Sequence, residues 1–518
     1  MAMPNELWPS GSVLFGWVSV LPLLFFTHNL QNESFPWTWG ALWGVGFTGF
    51  QYFWLSRFGD FSLWTLGGVA LVYALYGSLF IPILSFVLKR TTSRVLPLVI
   101  ALTLVGFEYL RSIGYLAFPW NLSAHPFARW AGFIQIVDLG GVFLLGFVVL
   151  FFQGSLFLWI RDRTIPWASG LGSVLLILFT LLYGGYRLQT YDSSNGYADS
   201  FVDFILVQQN EDSWSSGAGA AGLARIQELT LTGLTKSPIN LSYWGFEDAP
   251  FSADLAVWSE TSLAYTAESL LRAQDRFPEG YPFADFMTKL QLPLLTGAPV
   301  LVNPHDPSAG LMNGAVFFDL YEDRPFLSDT YGKQRLIPFA EHVPIEDIPF
   351  LARFLEERIG ISASGWVHGP DAAPMSLSLG NQVLKVGIPI CFEDSFFQQV
   401  RQMTLSGSQL FINLTNNSWS GTFTAHGQHT AAAIFRTVET RRTMIRSTNS
   451  GLTSIIGPQG SLLYSAPEFT TLAQPLRVPL QTKNLELTFY TRMGDWFAQS
   501  ALLFLLLFFL WDQKKAAL

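Results

Sequence analysis

Cysteine occurs once in these 518 residues, at Cys391. A single thiol excludes an intramolecular disulfide, a CxxC redox pair and a thiolate zinc site. It leaves either an inert packing thiol or a reactive one. Charge is scarce as well. Only 13% of the residues are charged, where soluble globular proteins carry about 25%, and that deficit marks a chain much of which sits in lipid. The balance is acidic, with a formal net charge of −8, so the basic patch or stripe expected of a nucleic-acid binder is missing. The opening residues have no basic stretch and no small-residue cleavage site, so no N-terminal signal peptide is evident. The spans themselves must deliver the chain to the membrane.

What the chain has in abundance is apolar sequence: 50% hydrophobic and 15% aromatic. From Ser12 to Arg187 it runs as apolar stretches of membrane-spanning length, near 12–29, 37–56, 62–88, 95–115, 130–160 and 166–186. A helix needs about 20 such residues to cross the hydrocarbon core, and the third and fifth stretches are long enough to require tilt or projection. A polar linker follows at Asp192–Gly196, then some 300 residues of short strands and helices punctuated by Gly and Pro, then a last apolar run at Trp496–Trp511. The implied division is a bundle over 1–190, a catalytic domain over 200–488, a closing helix over 496–511 and a tail over 512–518.

Positive charge orients membrane proteins. Lys89, Arg90 and Arg94 lie between the third and fourth spans, Arg161 and Arg163 between the fifth and sixth, and Lys514 and Lys515 after the last. These mark the cytoplasmic side and place the 200–488 domain outside it. Six leading spans then require either an outside N-terminus or a further span before Met1. The opening PNELWPSG reads more as an interhelical turn than a chain start, which favours the second.

Inside the polar domain, the runs 204–208, 255–258, 384–390 and 410–414 are near-continuously apolar, the pattern of strands buried on both faces. Chemistry in α/β proteins gathers at the carboxyl ends of such strands, where Glu260 and Cys391 stand. Taken singly, a lone cysteine is more often a small core hydrophobe, and Glu260 and Lys333 read as solvated surface charges.

Together they resemble a known family. Trp258-Ser259-Glu260, then Tyr331-Gly332-Lys333 with Leu336-Ile337-Pro338-Phe339-Ala340-Glu341, then Ile390-Cys391-Phe392-Glu393 follow the order and spacing of the Glu-Lys-Cys triad of the nitrilase superfamily. The wider pattern is similar to the apolipoprotein N-acyltransferases, the membrane-embedded branch. Glu108, Arg111 and Phe118-Pro119-Trp120 match its membrane signature. Asn416-Asn417-Ser418-Trp419, Gln428-His429, Arg436, Glu439, Arg446, Asn449-Ser450-Gly451 and Tyr490–Trp496 match its later segments. Departures from the family pattern fall at Ser259, Ala117, Phe392 and Ala340, and none removes a triad member.

The resemblance implies a multi-pass α-helical membrane domain joined to an α/β nitrilase-like domain, an αββα sandwich. It implies a bacterial inner-membrane enzyme with its catalytic domain on the periplasmic side. Cys391 would take an acyl chain from a phospholipid, typically phosphatidylethanolamine, and pass it to the α-amine of a diacylglyceryl apolipoprotein. No metal, nucleotide or other cofactor is implied, and a monomer is the default. Glu260 is the expected base and Lys333 the oxyanion-stabilising cation, with the backbone N–H of Phe392 beside it. Glu341 and Glu393 are expected in support. Phe118, Pro119 and Trp120 are expected either to line the lipid portal or to anchor at the interface, and Glu108 and Arg111, three apart on a helix, to pair with each other. Trp214 and the segment 345–366, with Phe350, Phe354 and Trp366, are expected as apolar covers or as ordinary packing. Two other readings are open to the same residues. A membrane-tethered carbon-nitrogen hydrolase acting on a soluble amide would use the same triad. A transporter with a sensor domain would need paired broken spans with functional charges at mid-membrane, and no such repeat is visible.

Overall fold

The computed structural model describes residues 1–59, 62–191, 198–211, 218–241, 250–272, 283–338, 341–342, 350, 353, 357, 365–370, 373–379, 382–483 and 485–517. The N-terminal part is helical: α1 Val13–Gly16, α2 Leu21–Asn29, α3 Pro36–Gln51, α4 Ser62–Arg90, α5 Leu96–Leu110, α6 Ala131–Ile134, α7 Val137–Asp162 and α8 Trp167–Thr190. By length and composition α4, α7 and α8 can each cross a membrane, and 13–29, α5 and 496–511 are shorter apolar helices.

Four of the expected spans end or break where side chains and glycines dictate. The first divides into α1 and α2, with Pro22, which has no N–H to donate, in the first turn of α2. The second stops at Gln51 and continues as a 3-10 turn, Phe53–Arg57. The fourth ends at Leu110, because the chain turns at Gly114 (φ +84°) and folds back under Arg111, which donates to the carbonyls of Phe118, Trp120 and Asn121. The fifth is cut into α6 and α7, and α7 is itself kinked at Gly140 and Gly141, the latter at φ 69°. Helices α3 and α4 approach at glycines. A Cβ on Gly40 would stand 2.1 Å from the Gly77 carbonyl oxygen, and one on Gly44 2.0 Å from that of Tyr73. Small residues permit this backbone contact in apolar surroundings.

The rest of the chain forms two sheets. One has the order β2-β13-β1-β3-β4-β5-β6, with β1 Ser200–Gln208, β2 Ile239–Asn240, β3 Leu255–Val257, β4 Leu294–Leu301, β5 Leu311–Tyr321, β6 Arg324–Gly332 and β13 Leu472–Leu480. The other has the order β12-β11-β10-β9-β8-β7, with β7 Met375–Leu379, β8 Gln382–Gly387, β9 Leu410–Thr415, β10 Met444–Thr448, β11 Ser454–Ile456 and β12 Leu462–Ser465. β1, β3 and β4 run parallel, as do β8, β9 and β10. The sheets meet face to face, and the Ser447 hydroxyl of β10 donates to the carbonyls of Val207 and Val257 across the gap.

The apolar runs are explained by two cores. Along β1, Val202, Phe204 and Leu206 enter the core shared between the sheets, while Ile205 and Val207 enter a second core beneath the outer helices. Those helices are α9 Ala218–Gly233, α10 Ala267–Arg272 and α11 Phe283–Leu290. On the other sheet lie α12 Phe397–Leu405 and α13 Phe423–Thr440. The order helix–sheet–sheet–helix is the αββα sandwich. Buried nearly all round, α13 lies between its sheet and α7 of the bundle. The two parts are also tied by Asp138 of the bundle, which receives Arg441 at 2.6 Å and Arg187 at 2.8 Å. The short α14, Phe489–Met493, leads into the last helix, α15, which runs Trp496–Ala517, past the expected end at 511.

Candidate active site

Three strand ends converge. Glu260 follows β3, Lys333 follows β6 directly, and Cys391 follows β8 after a short extended stretch. All three are buried, at 4%, 0% and 4% exposure. Lys333 Nζ donates to Glu260 Oε1 at 2.9 Å and to Glu341 Oε1 at 2.8 Å. The second oxygen of Glu260 receives the Asn416 backbone N–H at 3.0 Å, and that of Glu341 receives the Ile337 N–H at 2.8 Å. A buried ammonium is tolerable only when paired and hydrogen-bonded. Burial works against the Lys333 charge, but the two carboxylates outweigh it and hold its pKa well above the ordinary lysine value.

A residue missed at the sequence level completes this cluster. Asn313 on β5 donates its amide to Glu260 Oε1 at 2.9 Å and to Glu341 Oε1 at 2.8 Å, duplicating the bridge made by Lys333. Its trace in the sequence is a lone amide inside the apolar run 311–318.

Cys391 adopts φ +53°. The left-handed region costs a non-glycine residue on the order of 1–2 kcal/mol, and such strain persists only where neighbours over-determine it. Here they do. The Cys391 carbonyl receives Asn413 Nδ2 at 2.9 Å and His429 Nε2 at 3.2 Å, and the same His429 nitrogen donates to Asp394 Oδ1 at 2.8 Å. Glu393 lies beneath the turn, fully buried, and accepts from the backbone N–H groups of Gln334, Arg335 and Ile390, from Gln399 and from the Tyr331 hydroxyl. Glu393 thus locks the Lys333 loop to the cysteine turn, and burial pushes its carboxyl above the usual carboxylate range. Burial first, then the negative charge of Glu260, push the Cys391 thiol well above its ordinary value, while Lys333 pulls it down. The thiol thus stands between a carboxylate that disfavours its ionisation and an ammonium that favours it.

The thiol opens onto a narrow apolar cavity of about 80 Å³ that reaches into the helical bundle. Trp54, Leu55, Phe58, Val69, Val72 and Tyr73 line it from the bundle, and Phe392, Trp419 and His429 from the catalytic side. Phe118 and Trp120 belong to this wall, with Pro119 buried between them and absent from the lining. Pro119 and Trp120 are buried and Phe118 is half-buried. Trp120 stacks on His429 at 5.3 Å and donates its indole N–H to the Ser395 hydroxyl at 2.8 Å. The Phe392 ring lies 5.7 Å from Lys333 Nζ.

Glu108 and Arg111 share the bundle as expected, but each is engaged with the 118–123 segment. Glu108 accepts from the N–H and hydroxyl of Ser123, and Arg111 donates to three carbonyls there and to the Tyr73 hydroxyl. The folded-back chain offers closer partners than the helix neighbour does. Of the expected covers, Trp214 and Phe354 lie outside the described residues. Phe350 is 73% exposed, Trp366 is half-buried and bridged to Leu311, and neither lines the cavity. Among the described residues, no group of three or more His, Cys, Asp or Glu side chains is placed to hold a metal ion.

Comparison with known proteins follows the same two-part division. Residues 3–155 match the apolipoprotein N-acyltransferase N-terminal domain, and residues 235–477 match the carbon-nitrogen hydrolase family. A solved carbon-nitrogen hydrolase from Helicobacter pylori G27 aligns over 57% of this chain and 94% of its own, at 13% identity and a TM-score of 0.36. The apolipoprotein N-acyltransferase of Borreliella burgdorferi is 26% identical over 96% of this chain and 90% of its own length. Apolipoprotein N-acyltransferase 2 of Treponema denticola is 29% identical over 98% of this chain and 94% of its own. Apolipoprotein N-acyltransferase 2 of Treponema pallidum is 32% identical over 96% of this chain and 89% of its own. With a thiol, a carboxylate and an ammonium at the head of a cavity walled by membrane helices, and with that likeness running nearly end to end, the chain belongs to the apolipoprotein N-acyltransferase family.

Proposed function

We propose that this protein moves an acyl chain from a membrane phospholipid, by way of a thioester on Cys391, to the α-amine of a diacylglyceryl-cysteine apolipoprotein. The observation that carries the reading is the apolar cavity joining Cys391 to the bundle. A soluble amide has no use for such a cavity, whereas each acyl methylene kept from water is worth about 0.8 kcal/mol.

In the first half-reaction Glu260 takes the Cys391 proton as sulfur attacks the ester carbonyl. Lys333 and the Phe392 backbone N–H stabilise the oxyanion, and one such donor is worth about 3 kcal/mol. The C–O bond breaks, and Glu260 returns the proton to the departing lysophospholipid oxygen. In the second half-reaction the acceptor amine attacks the thioester, its proton passes to a carboxylate of the Glu260–Glu341 pair, and the C–S bond breaks as that carboxylate returns the proton to sulfur and restores the thiol. Covalent catalysis replaces one exchange between two lipids by two easier steps, and no metal or nucleotide is called for.

We read phosphatidylethanolamine as the donor, the bacterial inner membrane as the location, the periplasm as the side of the catalytic domain, and a monomer as the working unit. The flanking positive charges described above support the orientation.

The test is mass spectrometry of purified protein incubated with phospholipid vesicles. An acyl adduct on Cys391 that is absent from Cys391→Ala is expected. Hydrolysis of small amides with no adduct from phospholipid would overturn the acyltransferase reading in favour of a tethered hydrolase.

A further inference from the structure

Membrane helix α7 is not a continuous ladder. At Gly140 (φ −135°, ψ 18°) and Gly141 (φ 69°, ψ −177°) the backbone leaves helical geometry. Gly141 is required there twice over, by its positive φ and because a Cβ would stand 2.7 Å from the Tyr490 ring. A break of this kind deprives backbone N–H groups of their acceptors four residues earlier, and a buried N–H must find another. The N–H of Val142 finds it in the catalytic domain, donating to Glu439 Oε1 at 2.8 Å.

Glu439 sits in the last turn of α13, 1% exposed, and its partner one turn earlier is Arg436, also 1% exposed. Arg436 Nη2 donates to the same Glu439 oxygen at 2.8 Å, and Arg436 Nη1 donates to the Ser395 carbonyl at 2.9 Å. Ser395 closes the turn Cys391–Ser395 that begins with the nucleophile. Three hydrogen bonds in sequence therefore connect a backbone N–H of the membrane bundle to a backbone carbonyl of the nucleophile turn. The hydroxyl of the same Ser395 receives Trp120 from the cavity wall, so this one residue is held from the bundle on two sides. The guanidinium also lies 5.7 Å from the centre of the Phe397 ring, and Phe143, next to Val142, packs on that ring at 5.1 Å.

We infer that Arg436 and Glu439 are positioning residues for the acyl-transfer chemistry: they form a joint through which the kink of α7 fixes the nucleophile turn relative to the apolar cavity. Neither lines that cavity. Their effect passes through Ser395 to a cysteine whose left-handed backbone needs external support. The inference rests on the proposed acyl transfer and adds to it the means by which the bundle and the nucleophile keep register. A free catalytic domain would lack the Val142 anchor, so the thiol's aim depends on the membrane part even though no triad residue lies there.

The experiment measures acyl-thioester formation on Cys391 in the full-length protein, with phospholipid concentration varied, for wild type, Arg436→Lys, Glu439→Gln and Glu439→Ala. Lysine keeps the charge opposite Glu439 but cannot reach Glu439 and Ser395 together. Glutamine keeps an acceptor for Val142. The expected result is a kcat at least tenfold lower for Arg436→Lys and Glu439→Ala with KM within twofold of wild type, and substantial recovery in Glu439→Gln. Folded Arg436→Lys protein with wild-type kcat, or with KM alone changed, would overturn the joint. If Glu439→Ala does not fold, Arg436→Lys decides the matter alone; if that variant fails as well, Glu439→Asp decides, since its shorter side chain keeps the charge but withdraws the carboxylate from Val142: a lower kcat at unchanged KM counts for the joint and a wild-type kcat against it. Wild-type protein that takes no acyl group from phospholipid would refute the acyl-transfer reading itself, which is a different outcome.

Discussion

The cluster around Lys333 assigns separable roles to residues that look interchangeable by charge. Glu260 and Glu341 share one ammonium and one amide, yet of the two negative charges that raise the pKa of the Cys391 thiol, that of Glu260 weighs more. Replacing Glu260 by Gln should lower thioester formation by about 10²–10⁴-fold, the range for a general base. The same change should make the thiol easier to ionise, because a negative charge that raises its pKa is gone. Iodoacetamide alkylation of wild-type Cys391 should be slow at neutral pH and still rising beyond the ordinary thiol range, and the Glu260→Gln profile should move to lower pH. A variant that is acylated at the normal rate would remove Glu260 from the role of base.

Asn313 carries a related prediction. Asn313→Leu leaves both carboxylates short of a donor in a buried site, a loss of roughly 1–3 kcal/mol. Thioester formation should fall by about tenfold or more and the thermal midpoint should drop, both measurable on the same preparation. Asn313 stood in plain view as a polar residue in an apolar strand. Sequence order gave no hint that β5 would bring it between Glu260 and Glu341.

At the scale of elements, close helix contact shapes the cavity. Gly44 lets α3 touch the Tyr73 backbone of α4. The Tyr73 side chain lines the cavity and its hydroxyl receives Arg111 at 2.9 Å. Gly44→Val should force the helices apart, with an overpacking cost of about 1–3 kcal/mol. The expected outcome is a lower thermal midpoint in detergent together with slower acylation, since the displaced Tyr73 shifts the cavity wall and the Arg111 clamp. An unchanged midpoint would mean that the α3–α4 contact is looser than its geometry indicates.

Element boundaries were the least legible feature of the sequence. Hydropathy marks apolar runs without marking where they bend, and the breaks at Leu110 and at Gly140–Gly141 depend on partners far along the chain. Arg111 is satisfied by carbonyls as far on as residue 121, and the Gly141 turn is matched to Tyr490. Strands were easier, because β1, β3 and β9 are buried on both faces and read as near-unbroken apolar runs, whereas β8 alternates, with Val383 and Lys385 exposed.

For the whole molecule, the union of two parts is the functional fact. The nucleophile belongs to the sandwich, while much of the cavity in front of it belongs to the bundle. Filling the bundle side should therefore separate the two kinds of reactivity at Cys391. Val72→Trp, on α4, should reduce acylation from long-chain phospholipid at least tenfold while leaving alkylation by iodoacetamide near the wild-type rate. Equal loss of both would mean that the cavity serves the fold and not the acyl chain.

By itself the sequence determined the composition of the two parts and most of the apolar strands, because each is written in residue type and local period, and its motifs proposed a candidate triad. Glu260, Lys333 and Cys391 could be named from motifs, and their neighbours Glu341 and Glu393 with them. Only the tertiary structure decided that Asn313 bridges the carboxylates, that Phe118 and Trp120 wall an internal cavity, and that Arg436 and Glu439 join a kinked membrane helix to the cysteine turn. Those facts rest on contacts between segments up to hundreds of residues apart. Burial then fixes their chemistry, since a polar group removed from water takes whichever partner the fold brings to it.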